Sequence, residues 1–320
     1  MRVVARTLGW VALLLALTSC ANEPETSSFA RGYWNTPLPL DAPRDPRSAS
    51  MISWLAEDNS PPYLRITGIG DGEWGSPVFV AQGDTPARPL ECDGGSCPPS
   101  MPEEIRLPAE ARPPDTSDAT ITLYDVQRGY VLGLWRASQE PDGSWTAQGG
   151  DIYYLDSNGL AGTLAGSDDP RNGGHRGLNS MVRVLRFDEV DSGSIDHVIE
   201  LFVNTARMEH VFPMTGHEDH GTWHPDAPPE GTRIRIMPSV DIDSFDLSPA
   251  AKVIATALQR YGAVIGDQTG GPATIGVENT VLSGRGDLWT SVLTADALAD
   301  IPFEAFEVIE LGYDPTGESS

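Results

Sequence analysis

The chain has 320 residues with a formal net charge of −25, from 21 Lys+Arg against 46 Asp+Glu. That length is ample for a substantial core, and 39% hydrophobic content excludes a disordered chain. So acidic a surface excludes nucleic acid as a partner, because a phosphate backbone needs a basic face.

The bases are unusual: of the 21, all but Lys252 are arginine. Glycine (33) and proline (27) together predict abundant turns and loops.

Residues 1–19 read as a lipoprotein signal peptide. Arg2 and Arg6 precede an apolar run over 10–17, too short to span a bilayer. Leu17-Thr18-Ser19-Cys20 matches a bacterial lipobox, so Cys20 is the expected lipidation site and mature N-terminus. The expected location is extracytoplasmic, on the cell membrane or outer membrane, with the membrane reached through the N-terminal lipid. Residues 20–30 form a polar tether. Residues 31–314 are read as one β-rich domain, and 315–320 as a polar tail.

Residues 47–57 place Met51, Ile52, Trp54 and Leu55 on one side of a first helix. Short strands are expected at 64–67 and 78–81. Residues 85–115 are rich in proline and read as a surface excursion. They hold Cys92-Asp93-Gly94-Gly95-Ser96-Cys97, which predicts a small loop disulfide between Cys92 and Cys97 in an exported chain.

Residues 119–125 and 130–136 read as a hairpin about Gln127-Arg128-Gly129, and 151–155 as a further strand. Strands are also expected at 181–187, 195–204, 232–237 and 306–311. Ser248, Pro249 and Gly262 bracket a helix whose stripe is Val253, Ile254, Ala257, Leu258 and Tyr261. A second, short helix is expected at 294–300. Many short strands with few peripheral helices predict a mainly β fold, a β-sandwich of jelly-roll type.

No nucleophile elbow, P-loop or dinucleotide-binding glycine pattern occurs. The catalytic candidates are Asp188 beside Glu189, His197, Asp241 and Asp267. Carboxylate pairs and a histidine titrating near neutrality suit general acid–base chemistry; each of these residues is equally a cap or a buried structural group. Arg233 and Arg235 share one strand face and ask for a carboxylate partner, internal or an acidic sugar. Trp135 is one of seven tryptophans outside the signal peptide whose faces suit sugar rings. No cofactor motif is present. A divalent metal on the loop bearing His217, His220 and His224 is the one exception, with a solvated loop as the alternative.

Several stretches together resemble an uncharacterised family of exported bacterial proteins and lipoproteins. They are Trp145-Thr146-Ala147, residues 154–158, Arg186-Phe187-Asp188-Glu189-Val190 with Gly193 and His197, residues 229–235, and residues 257–262 leading to Asp267. The resemblance implies one domain over most of the chain and brings no activity. The function expected from the residues is a surface-anchored lipoprotein that binds or cleaves an extracellular polysaccharide, as a glycoside hydrolase or lyase if an enzyme. The alternative is a structural or adhesive envelope protein.

Overall fold

The computed structural model describes residues 32–70 and 74–317. The signal peptide, Cys20, the tether, Arg31 and residues 318–320 lie outside the described residues.

The fold is mainly β. Seventeen strands stand against four short α-helices among the described residues. A seven-stranded sheet runs in the spatial order Arg65–Thr67, Thr274–Val277, Ile199–Val203, Ala263–Gln268, Arg233–Ile236, Phe306–Val308, with Val184–Leu185 beside Thr274–Val277. An eight-stranded sheet runs Val78–Val80, Ile121–Asp125, Tyr130–Trp135, Trp145–Tyr154, Ala87–Ser96, Glu104–Arg106, with Ser138–Gln139 and Gly173–Gly174 beside Trp145–Tyr154. Both sheets mix parallel and antiparallel neighbours. Arg207–His210 and Pro229–Glu230 form a separate pair.

Alternation along Ile199–Val203 separates two cores. Ile199, Leu201 and Val203 join Met51, Leu55, Ile254 and Leu258 in a core beneath the two longer helices, Ser48–Asp58 and Pro249–Arg260. Each such buried aliphatic side chain stabilises by about 1.5–3 kcal/mol. The opposite face meets the second sheet, where Val184, Val198 and Val264 pack with Val78, Tyr124, Val131 and Tyr153. Glu200 lies on that inter-sheet side.

The hairpin forms with Ile121 opposite Leu134 and Asp125 opposite Tyr130. Helix Pro249–Arg260 is capped as its sequence predicts, Ser248 Oγ accepting from Ala251 N at 3.2 Å. The stretch 85–115 is no mere surface excursion. Ala87–Ser96 pairs with Trp145–Tyr154 and Glu104–Arg106 with Ala87–Ser96, burying Leu90, Ile105 and Leu107. Cys92 and Cys97 are disulfide-bonded, with Cα atoms 6.0 Å apart. Gly94 is required there, because a Cβ would lie 1.5 Å from the Gln148 carbonyl oxygen.

Three expected elements differ most, and the strand expected over 306–311 spans only Phe306–Val308. Residues 181–187 break into helix Ser180–Arg183, strand Val184–Leu185 and helix Phe187–Ser192. Side-chain caps override the alternating pattern: Asn179 Oδ1 accepts from Met181 N at 3.0 Å, and Glu189 Oε2 from Arg186 N at 3.0 Å. The strand expected over 195–204 spans only Ile199–Val203, since Val198 N donates to the Trp34 carbonyl. Residues 294–300 are turns, with the Ala295 carbonyl accepting from Ile66 N at the sheet edge. Among the described residues, no helix is long and apolar enough to cross a membrane.

Candidate functional site

The residues singled out from sequence are placed apart, and most have structural partners. Asp188 sits in the first turn of Phe187–Ser192, exposed, and pairs with Arg285. Asp241 caps the short turn Ile242–Ser244, accepting from Asp243 N at 3.1 Å on the surface. Trp135 donates through Nε1 to Asp118, and the Arg136 guanidinium lies 4.3 Å over one face of its ring.

His197 is buried with both ring nitrogens engaged. Nδ1 is 2.7 Å from the Val198 carbonyl, and Nε2 is 3.1 Å from Glu189 Oε1. Burial pulls its pKa down, but the Glu189 carboxylate and the two hydrogen bonds outweigh it, so the net direction is up. For Glu189, burial pushes up; His197 and Arg186 overcome this and hold the carboxyl at about 2. This is a buried histidine–carboxylate pair with no free ring nitrogen for a substrate.

Arg233 and Arg235 hold the chain segment that crosses the sheet edge. Arg233 Nε donates to the Tyr261 carbonyl at 2.7 Å and Nη2 to that of Thr36 at 3.3 Å, with the guanidinium 5.0 Å over Tyr33. Arg235 donates to Glu307 Oε1 at 2.8 Å and to the carbonyls of Pro39 and Leu40 at 2.7 and 3.1 Å. Of the two partners left open by the sequence, internal acceptors are the ones seen.

The three loop histidines do not converge. His217 pairs with His210. His220 lies 3.4 Å from Glu218. The His224 ring stacks on Trp54 at 4.5 Å. No group of three or more His, Cys, Asp or Glu among the described residues is placed to hold a metal ion.

Two acidic candidates enter clusters: Asp188 shares Arg285 with the buried Glu278, and Asp267 joins a larger group. Its hub is Arg176, a non-glycine residue at φ 57 in the left-handed region. Arg176 lies 3.0 Å from Glu230, 3.0 Å from Asp267 and 2.9 Å from Glu218. Asp267 and Glu218 keep side-chain exposures of 23% and 25%, whereas Glu230 is fully buried. Both exposed carboxylates share one guanidinium nitrogen, so their oxygens lie within about 6 Å of each other. Burial pushes Glu230 up to about 7 despite Arg176.

Between the sheets lies a second group. Asp151 accepts from Ser180 N and Oγ at 2.9 and 2.7 Å. Arg183 Nε is 3.7 Å from Glu200 Oε2, and neither Glu200 oxygen has a hydrogen-bond partner. Burial raises Glu200 to about 7, against the pull of Arg183. Its carboxylate crosses over Gly266, where a Cβ would come within 2.6 Å of Oε1. Beside it is a cavity of about 10 Å³ lined by Trp34, Asn179 and Met214, room for about one water.

Sequence reasoning missed Arg176, Glu230, Glu200, Arg183 and Asp151. A charged residue inside the apolar strand Ile199–Val203 is the one signal that pointed to Glu200.

Trp223 is 68% exposed, next in sequence to His224, which stacks on Trp54. The loop is pinned at Pro225, whose carbonyl accepts from Arg47 at 3.0 Å and Arg207 at 3.1 Å. No protein-family model, curated protein or solved structure matches the chain.

Proposed function

We propose that this chain is a lipid-anchored envelope protein that holds a neutral extracellular polysaccharide on the Trp223 loop. The observation that carries this reading is the exposed Trp223, next in sequence to His224, whose ring stacks on Trp54. A flat apolar face with a polar edge suits the C–H face of a sugar ring, and a soluble surface leaves so large an aromatic bare mainly where it meets a partner. A net charge of −25 repels polyanions, which favours a neutral glycan. Anchoring rests on the lipobox ending at Cys20.

A hydrolytic reading is supported by one specific observation. Glu218 and Asp267 share Arg176, and the third acid on it, Glu230, is raised to about 7, suited to proton donation near neutrality. Holding is favoured over cleavage because Arg176 occupies all three carboxylates and Glu230 is fully buried.

A screen of neutral glycans by intrinsic tryptophan fluorescence, paired with a reducing-sugar release assay, tests both readings. Holding predicts saturable quenching that Trp223→Ala weakens at least about tenfold, about 1.4 kcal/mol, with no sugar released. Sugar release abolished by Glu218→Gln transfers the function to the Arg176 cluster. Absence of both binding and release overturns both readings. Anchoring is checked by metabolic labelling with a fatty-acid analogue, which Cys20→Ser should abolish.

A further inference from the structure

His210 ends the strand Arg207–His210, and His217 follows six residues of loop later. Their Nδ1 atoms lie 3.1 Å apart, and the rings are 5.4 Å between centroids with planes inclined by 29°. We propose that His210 and His217 form a two-histidine site for one borderline divalent metal ion, Zn²⁺ or Cu²⁺, whose remaining positions are taken by water.

The distance is the first argument. Two imidazole nitrogens bound to one tetrahedral ion at about 2.0–2.1 Å sit about 3.3 Å apart. The observed separation therefore lies close to a chelating bite, and a small turn of the rings lets both lone pairs converge.

Rigidity is the second. The intervening loop is tied down by Val211 N to the Glu230 carbonyl at 2.9 Å and by Thr215 N to the Arg176 carbonyl at 2.8 Å. The Phe212 ring meets Tyr33 edge-on at 5.1 Å between centroids. The two imidazoles are thus presented by a fixed frame, which lowers the ordering cost of binding.

Ligand chemistry is the third. Imidazole is a preferred ligand of Zn²⁺ and Cu²⁺, with Cu²⁺ the tighter of the two. The assignment replaces a metal on His217, His220 and His224: His220 turns to Glu218, and His224 to Trp54.

The test uses untagged full-length protein, stripped of metal and titrated calorimetrically with ZnCl₂ at pH 7.5. Bound zinc is measured by elemental analysis after dialysis. About one Zn²⁺ per chain is expected. His210→Ala and His217→Ala should each weaken binding at least about tenfold, whereas His220→Ala should change it less than about twofold. His210 is exposed and His217 half-buried, so His210→Ala in particular should keep the wild-type melting temperature. Fewer than about 0.1 Zn²⁺ per chain on the wild type overturns the site. So does equal loss in His220→Ala, or binding unaffected by His210→Ala.

Discussion

The guanidinium of Arg176 lies 3.0 Å from a carboxylate oxygen of Glu230, an acid with no solvent exposure. The same side chain meets Asp267 and Glu218, so one cation serves three acids on three separate segments. It ties the turn at 175–177 to strands Pro229–Glu230 and Ala263–Gln268.

Removing that cation strands a buried acid. Arg176→Ala should lower stability by about 3–5 kcal/mol at pH 8, as loss of one partner from a buried pair does. Glu230 would escape by staying protonated, so the deficit should shrink at pH 5. Urea denaturation at both pH values checks this; an equal loss at pH 5 and pH 8 would mean that Glu230 does not depend on Arg176.

His197 is expected to matter for folding and not for ligand binding. Its pKa is raised in the fold, so the stabilisation is fully present below the ordinary value of 6.5 and lost as pH rises through the folded value. Glu189, held at about 2, contributes stability above its ordinary 4.5 that is lost as pH falls toward 2. His197→Ala should therefore lower the melting temperature by several degrees at pH 6, with a smaller effect at pH 9, and leave glycan quenching unchanged. Loss of glycan binding with unchanged melting would return His197 to a functional role.

What the sequence made legible were features with local causes. The Ser248 cap with Pro249, the turn between 125 and 130 and the Cys92–Cys97 loop are written within a few neighbouring residues, and each forms. The span 181–187 was misread because its alternation of apolar residues looked like a strand. Asn179 and Glu189, outside the apolar positions, supply caps that two short helices use instead. The site was less legible because its partners are distant in sequence. Arg176 and Asp267 are 91 residues apart, and only the folded sheet order brings them within 3.0 Å. Asp188, Asp241 and Asp267 are equivalent catalytic candidates in the sequence, yet they face Arg285, a backbone N–H and Arg176.

The disulfide closes a very short loop. Chain-entropy reasoning gives such a loop about 2 kcal/mol. The double variant Cys92→Ser, Cys97→Ser should lose about that much in urea denaturation while keeping the far-ultraviolet spectrum. Thiol titration of unreduced protein should find neither cysteine reactive.

Glu200 couples the stability of the fold to pH. Burial raises its pKa to about 7 from the ordinary 4.5. A raised acid binds its proton more tightly folded than unfolded, so stability falls as pH rises from about 4.5 to about 7 and stays lower above that. The charges of Arg183 and Arg176 favour the ionised form, and those of Asp267 and Asp151 oppose it. The shift of 7 less 4.5 corresponds to about 3 kcal/mol at most. Glu200→Gln keeps the shape and removes the titration. It should be close to neutral at pH 5, stabilise by up to about 3 kcal/mol at pH 8, and flatten the slope of stability between. The opposing account is that the ionised carboxylate, 3.7 Å from Arg183, is a net stabiliser. In that case Glu200→Gln would cost stability at pH 8 by leaving Arg183 underpaired. The sign of the change at pH 8, read from urea midpoints at constant slope, decides between the two.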